Sequence, residues 1–426
     1  MFSKRAIACV GVAVVLVSSA CSSSKKPAAS GPAPSTGGSN IAPGVTATSV
    51  KVGGIVTFTS AGGFSEAGVD IGAKARFQRA NNEGGVNGRK IDYVGSRDDG
   101  LNPSTTLDLA RALVQNQNVF AVVPVGAPAF NGAGAYLIQQ QVPFIGWGTT
   151  APFCRNDYGF GVFGCNVALK PTDLVSDASG AMLNKALGGS PNKTVAVIAG
   201  DNQAAQASLP GSAASFKGAG YRVVFSRAYV PSTAVTDYSP YARDLMTADN
   251  GKPPDVIFLV LQTPYVIGIR QALAAAGFKG ATIDGVSYDS KLLANSQSRQ
   301  ALQGEYLSAP FEPFESNTPA VKQMVKDIQA AAGSNAQPDQ YSAYGYWMAD
   351  LFLAMLKKAG KNLTRASFLA AANTNFTYEV KGGVGQNNFP ADHNGPSPCS
   401  ALLQVEGSQF VTRVPLACYT TAPVGS

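Results

Sequence analysis

The chain has 426 residues, 45% of them apolar and 14% charged. That is too long for one ordinary core and too apolar for a disordered chain, so two packed domains are expected. The formal charge of +7 is mild for this length. No run of Lys or Arg is interleaved with aromatic residues, which argues against nucleic acid as a partner.

In chain order, Lys4 and Arg5 precede an apolar run from Ala6 to Val17 and then Ser18-Ser19-Ala20-Cys21. This reads as a signal peptide over residues 1–20. The run is too short to span a bilayer as a mature helix. Cys21 directly after Ala20 resembles a bacterial lipoprotein signal, in which Cys21 carries the lipid. Ser18 departs from that pattern, and a plain secretory signal with an incidental cysteine is the alternative. Residues 21–44 then form a flexible tether rich in Ser, Gly, Ala and Pro, with a reach of roughly 25 Å.

Past the tether, β-rich runs alternate with helical ones. Strands are expected at 50–59, 90–99, 119–125 and 142–147, with helices at 68–84, 102–117 and 129–141 between them. Asn102 is placed as N-cap with Pro103 at the first helical position. The pattern restarts with helices at 172–187, 207–220, 238–249 and 264–277 and strands at 193–201, 222–230, 255–262 and 281–289. A third block holds the strand 304–311 and helices at 318–333 and 340–360. Residues 399–418 read as a hairpin. The alternation predicts α/β lobes with parallel sheets.

Cys154, Cys165, Cys399 and Cys418 remain after the leader and Cys21 are set aside. Outside the cytoplasm, four cysteines imply two disulfides with three possible connectivities. Local pairing, 154 with 165 and 399 with 418, is favoured. One histidine and no CxxC pair argue against a zinc site, so neither metal nor cofactor is expected.

Three stretches resemble catalytic motifs. Gly159–Gly164 spells GxGxxG, but it lies between two cysteines with no helix opening at it, so a tight disulfide-closed loop is the better use of its glycines. Gly285–Asp289 approaches a nucleophile elbow yet ends in Asp and needs a histidine. The single candidate, His393, reads as a surface or hinge hydrogen-bonder. Asp98-Asp99 ends a strand before a helix and reads as loop hydrogen bonding. No coherent catalytic set emerges, so the chain is expected not to be an enzyme.

The stretches "VTATSVKVGGIVTFTSAGG", "GAKARFQRANNEGGVNGRKIDYVGSRDDGLNP", "AVVPVGAPAF" and "VPFIGWGTTAP" resemble the leucine/isoleucine/valine-binding family of solute-binding proteins that feed ABC importers. The resemblance covers about 48–420 and weakens after 290. It implies a type I periplasmic binding protein: two Rossmann-like lobes with parallel sheets, joined by a three-segment hinge. Lobe I would take 45–168 plus 312–376, and lobe II 169–303 plus 380–422. The hinge would use 304–311 and 377–379. It also implies that Ala127 and the loop Gly148-Thr149-Thr150 hold a ligand carboxylate, through the Ala127 and Thr150 N–H groups and the Thr150 hydroxyl, with the Gly148 carbonyl facing an ammonium.

Two departures matter. The acidic residue that amino-acid binders place near Val286-Ser287 is missing, with Asp289 the nearest substitute, and the aromatic expected near Ala205 is absent. Gln203, Gln262, Tyr265 and Tyr288 then point to a neutral polar or amide-bearing ligand, with Phe64 and Trp147 as apolar walls. The function implied is an extracytoplasmic, lipid-anchored, monomeric solute-binding protein delivering a small polar ligand (amino acid, amide or small carboxylate) to an ABC permease of the branched-chain amino acid type. A ligand sensor of the same fold and an extracellular hydrolase are the alternatives.

Overall fold

The computed structural model describes residues 42–189 and 192–425. The expected signal peptide, the lipidation expected at Cys21 and the expected tether up to residue 41 lie outside the described residues. From the first described residues the chain joins the fold: the Gly44 carbonyl accepts the Lys51 amide and Val45 bridges to Val50.

The first sheet is built from β1 (Ser49–Val56), α1 (Ala67–Asn82), β2 (Lys90–Asp98), α2 (Pro103–Gln115), β3 (Ala121–Gly126), α3 (Asn131–Gln139), β4 (Phe144–Gly146) and β5 (Gly159–Gly161). Its order is β2-β1-β3-β4-β5, and every pairing is parallel. Side chains alternate between two cores. Val52, Val56 and Val123 enter one, while Ile55, Val122 and Phe144 enter the other, on the side of α2 and α3. A strand covered on both faces must be apolar at nearly every position, which is why β3 reads AVVPVG and is buried throughout.

The chain then supplies β6 (Leu174–Ser176), α4 (Ala178–Leu187), β7 (Thr194–Gly200), α5 (Gln203–Gly218), β8 (Arg222–Val230), α6 (Ser239–Met246), β9 (Val256–Val260), α7 (Thr263–Ala275), β10 (Ala281–Asp284), α8 (Ser290–Ala294), α9 (Ser296–Ala301) and β11 (Tyr306–Ala309). It returns to the first layer with α10 (Pro319–Ala332), α11 (Gln340–Ala359), α12 (Arg365–Ala372) and the hairpin β12 (Phe376–Val380) and β13 (Val384–Phe389). It ends with β14 (Cys399–Glu406), β15 (Gln409–Cys418) and β16 (Thr421–Pro423). The second sheet runs β15-β14-β11-β10-β9-β7-β8. It is parallel from β11 to β8, but β14 and β15 add to it antiparallel, so this sheet is mixed. Among the described residues the chain therefore passes between the two layers three times: after β5, after β11 and after β13.

Residues 380–398, expected in lobe II, instead pack on the first layer. Phe389 contacts Phe160, the Asn387 amide donates to the Val162 carbonyl, and the Cys165 N–H donates to the Asp392 and Gly395 carbonyls. Two local disulfides fix this region: Cys154–Cys165 closes the loop around β5, and Cys399–Cys418 staples β14 to β15.

α1 and α11 pack in near contact because glycine faces backbone on both sides. A Cβ on Gly72 would lie 1.9 Å from the Ser342 carbonyl, and one on Gly345 1.9 Å from that of Val69. This closeness brings Glu66, just before α1, beside Tyr341 and Tyr344 on α11.

Candidate functional site

In doubly wound sheets, ligands lodge at the carboxyl ends of the strands, where side-chain bulk gives way to exposed loops. Those ends meet here between the two sheets. Ala127 follows β3, Trp147 and Thr149 follow β4, Leu261 and Gln262 follow β9, and Gly285 and Val286 follow β10; all of them line one cavity of about 310 Å³.

The cavity does not stop between the layers. It continues beneath the second sheet, bounded by Phe258 and Val260 of β9, by Ala178 and Ser179 of α4, and by Ala204, Ser208, Gly211, Ser212 and Ser215 along one face of α5. The α5 residues recur at helical spacing, so one face of the helix carries only small side chains. Phe258 and Val260 are not fully buried although β9 sits between β10 and β7, because the cavity lies over them. The lining ends at Cys399 and Ser400 of β14 and reaches the exposed Leu174.

The aromatic wall is mutual. The Trp147 ring centroid lies 4.6 Å from Tyr344, and Phe64 meets Tyr341 edge-on at 6.0 Å. Phe64, Tyr341 and Val286 also border a second opening of about 620 Å³ on the side of α7 and α8.

Of the expected ligand residues, Phe64, Ala127, Trp147, Thr149 and Gln262 line the first cavity. The others lie elsewhere. The Gly148 carbonyl accepts the Asn166 N–H at 2.8 Å, so it does not face a ligand; its backbone lies against that of Gly164, with φ +92°, a conformation that favours glycine. The Thr150 hydroxyl is buried without a partner, outside the cavity lining. The Gln203 side-chain oxygen accepts the Asn131 N–H at 3.1 Å, tying the start of α5 to the start of α3. Tyr288 belongs to the core: its hydroxyl donates to Glu315 and accepts from the Phe314 N–H, and its ring packs on Phe311 and Phe410. Asp289 caps α8 by accepting the Lys291 N–H at 2.8 Å and borders only the second opening. The Tyr265 hydroxyl donates to the Thr233 carbonyl.

The catalytic look-alikes resolve into structure. Gly159–Gly161 is an edge strand of the first sheet inside the disulfide loop. His393 is buried rather than at the surface, packed against Phe160 and Phe389 with Nε2 2.6 Å from the Asn373 side-chain oxygen. Burial pulls its imidazole down to about 4. Ser287 sits in the other layer, its N–H donating to Asp284, so the two form no dyad. Asp98 accepts from Phe58, Thr59 and Gly100, and Asp99 from Thr57, Leu101 and Thr106, as loop hydrogen bonding requires.

One residue of the cavity was not anticipated. Glu66 is fully buried, and neither carboxyl oxygen has a hydrogen-bond partner. Burial, reinforced by Asp99, pushes its carboxyl up to about 8, so it is protonated at neutral pH. Among the described residues that line the cavity it is the only carboxyl, and no Lys, Arg or His accompanies it.

A family model described as "Periplasmic binding protein" matches residues 49–409. No curated protein matches the chain. Among solved structures, a fatty acid ABC transporter substrate-binding protein from Thermomonospora curvata is similar at a TM-score of 0.74 and 17% identity, covering 91% of this chain and 96% of that one. A solute-binding protein of an ABC transporter from Rhodopseudomonas palustris, in complex with 3,4-dihydroxybenzoic acid, is similar at 0.67 and 20% identity, covering 87% and 98%. A leucine-binding protein from Thermotoga maritima is similar at 0.67 and 20% identity, covering 85% and 97%. Such identities establish the shared fold alone. The family model spans most of the chain and the two-sheet architecture agrees with it: this chain belongs to the periplasmic binding protein family.

Proposed function

We propose that the chain is an extracytoplasmic solute-binding protein of an ABC importer, anchored through Cys21, whose ligand is a carboxylic acid with an extended apolar body. The observation that carries this reading is the continuation of the inter-sheet cavity beneath the second sheet, over Phe258 and Val260 and along the small-residue face of α5. A volume of about 310 Å³ is twice the ~150 Å³ apolar cavity that accepts one benzene ring, so it suits a ligand of roughly a dozen non-hydrogen atoms. A branched-chain amino acid, with only eight or nine non-hydrogen atoms, would leave the end beneath the second sheet unfilled, and unfilled apolar space forfeits contacts. The ligands named for two of the similar structures, a fatty acid and a dihydroxybenzoic acid, are both carboxylic acids without an amino group, which supports the class. Transport needs no covalent chemistry here: ligand between the layers favours the closed arrangement, and the closed form presents itself to the permease.

The test is calorimetric titration with saturated linear acids of four to sixteen carbons, with leucine and 4-hydroxybenzoate alongside. Affinity is expected to rise about fourfold per added methylene, equivalent to ~0.8 kcal/mol of burial, until the cavity is full, and then to level off. Leucine binding more tightly than every linear acid would sink the reading.

A further inference from the structure

The cavity has a polar end that its apolar walls do not explain. Glu66 sits between β1 and α1, held by its own backbone: its N–H donates to the Thr57 carbonyl at 2.7 Å, and its carbonyl accepts the Val69 N–H at 2.8 Å. The side chain is thereby aimed at the end of β3, where a Cβ on Gly126 would lie only 2.9 Å from its Oε2. Ala127, the next residue, lines the cavity. Across the cleft, the Gln262 side-chain N–H is also buried and without a partner. Two polar groups from different layers, each deprived of water and of protein partners, line one space; leaving them so is costly unless something else satisfies them.

The charges around Glu66 decide what that something is. Asp99 approaches from the β2–α2 junction, already saturated by Thr57, Leu101 and Thr106. From α11 come Tyr341 and Tyr344, whose phenols burial holds protonated, and no cationic side chain among the described residues lines the cavity. An ammonium would need Glu66 ionised, which burial and Asp99 both oppose. A carboxylate needs donors, and a protonated carboxyl beside an amide N–H supplies them. An apolar site that keeps an acid neutral so that it can donate to an oxyanion is an established device in other proteins.

Resting on the reading of the ligand as a carboxylic acid, we infer that Glu66 is the head-group residue of this site, keeping its proton and donating it to the carboxylate of the bound acid while the Gln262 amide donates from the opposite layer. One proton is then shared between two carboxyls, and the protein binds the ligand only in the form that carries it. No bond is made or broken.

Decanoate titrated calorimetrically from pH 6.5 to 9.5, into the wild type and Glu66→Gln, tests this. The wild type should hold its affinity to about pH 7.5 and lose it toward tenfold per unit above about 8. Near pH 9, heats in buffers of different ionisation enthalpy should report close to one proton taken up. Gln offers an N–H donor that does not titrate, so the variant should bind within about fivefold of wild type at pH 6.5 and keep that affinity to pH 9.5 with no proton uptake. Wild-type affinity that rises with pH, or loss of decanoate binding in a folded Glu66→Gln protein, would mean that Glu66 is not a neutral donor to the bound carboxylate and overturns the inference. Should the variant not fold, wild-type proton uptake alone decides. Decanoate binding without proton uptake or pH-dependence removes only the inference, whereas no linear acid binding at pH 6.5 removes the ligand reading and the inference together.

Discussion

At the scale of single residues, the unusual group is a carboxyl without partners. Glu66 has a folded-state pKa of about 8 against the ordinary 4.5. The native state therefore holds a proton that the unfolded chain releases, and stability falls as pH rises from about 4.5 to about 8. At 1.36 kcal/mol per unit the ceiling of this loss is ~5 kcal/mol. In the absence of ligand, Glu66→Gln should thus melt higher than wild type at pH 8.5, with the gap closing toward pH 5, as differential scanning calorimetry across that range would record. A gap independent of pH would mean that Glu66 already has a partner. Other residues of the cavity were legible in sequence: Ala127, Trp147 and Thr149 lie at strand ends where small and hydroxyl residues accumulate, and Gln262 opens a helix after an apolar strand. Glu66 was not, because an acid just before a helix ordinarily reads as favourable to the helix dipole and exposed. The signal available was the missing acid at Val286-Ser287, which left a cleft charge unassigned. Gly148 and Thr150 were misplaced for a local reason: the disulfide loop folds back on the end of β4 and takes the Gly148 carbonyl for Asn166.

At the scale of elements, periodicity carried most of the fold, and it failed where strands are too short to show a period. β5 has three residues and was read only as a loop motif; the β12–β13 hairpin, of five and six residues, was taken for hinge and second lobe. The local disulfide pairing was legible, since each pair closes a short segment. α5 was expected from 207 but begins at Gln203, with Asn202 capping it through the Ala205 N–H. Its small residues Ser208, Gly211, Ser212 and Ser215 turn one face into a wall with little bulk. That wall makes a prediction separable from the head group. Ser212→Phe places an aromatic ring in the cavity beneath the sheet, so long linear acids should lose affinity by tenfold or more while butanoate and hexanoate are little changed. Equal losses at all lengths, measured by the same titrations, would show that the apolar chain does not run along α5.

At the scale of the whole molecule, several contacts besides the crossings tie the two layers, among them the Gln340 N–H donating to the Tyr288 carbonyl and its side chain donating to that of Gly285, and such contacts set how firmly the cleft shuts. The Gln203 side chain spans them, capping the first turn of α3 from the start of α5 through the Asn131 N–H. It was expected among the ligand residues, but it lines neither opening and its partner is protein. Removing it leaves the cavity lining intact and deletes one hydrogen bond between the layers. A net hydrogen bond contributes about 1 kcal/mol, which shifts the closed population and the apparent Kd by about fivefold. Because the contact forms after encounter, the change should fall on dissociation. Stopped-flow fluorescence from Trp147 and Trp347 with decanoate should therefore give Gln203→Ala a koff raised about fivefold, with kon within twofold of wild type. A variant that lost kon and kept koff would place Gln203 on the entry path of the ligand instead of on the latch.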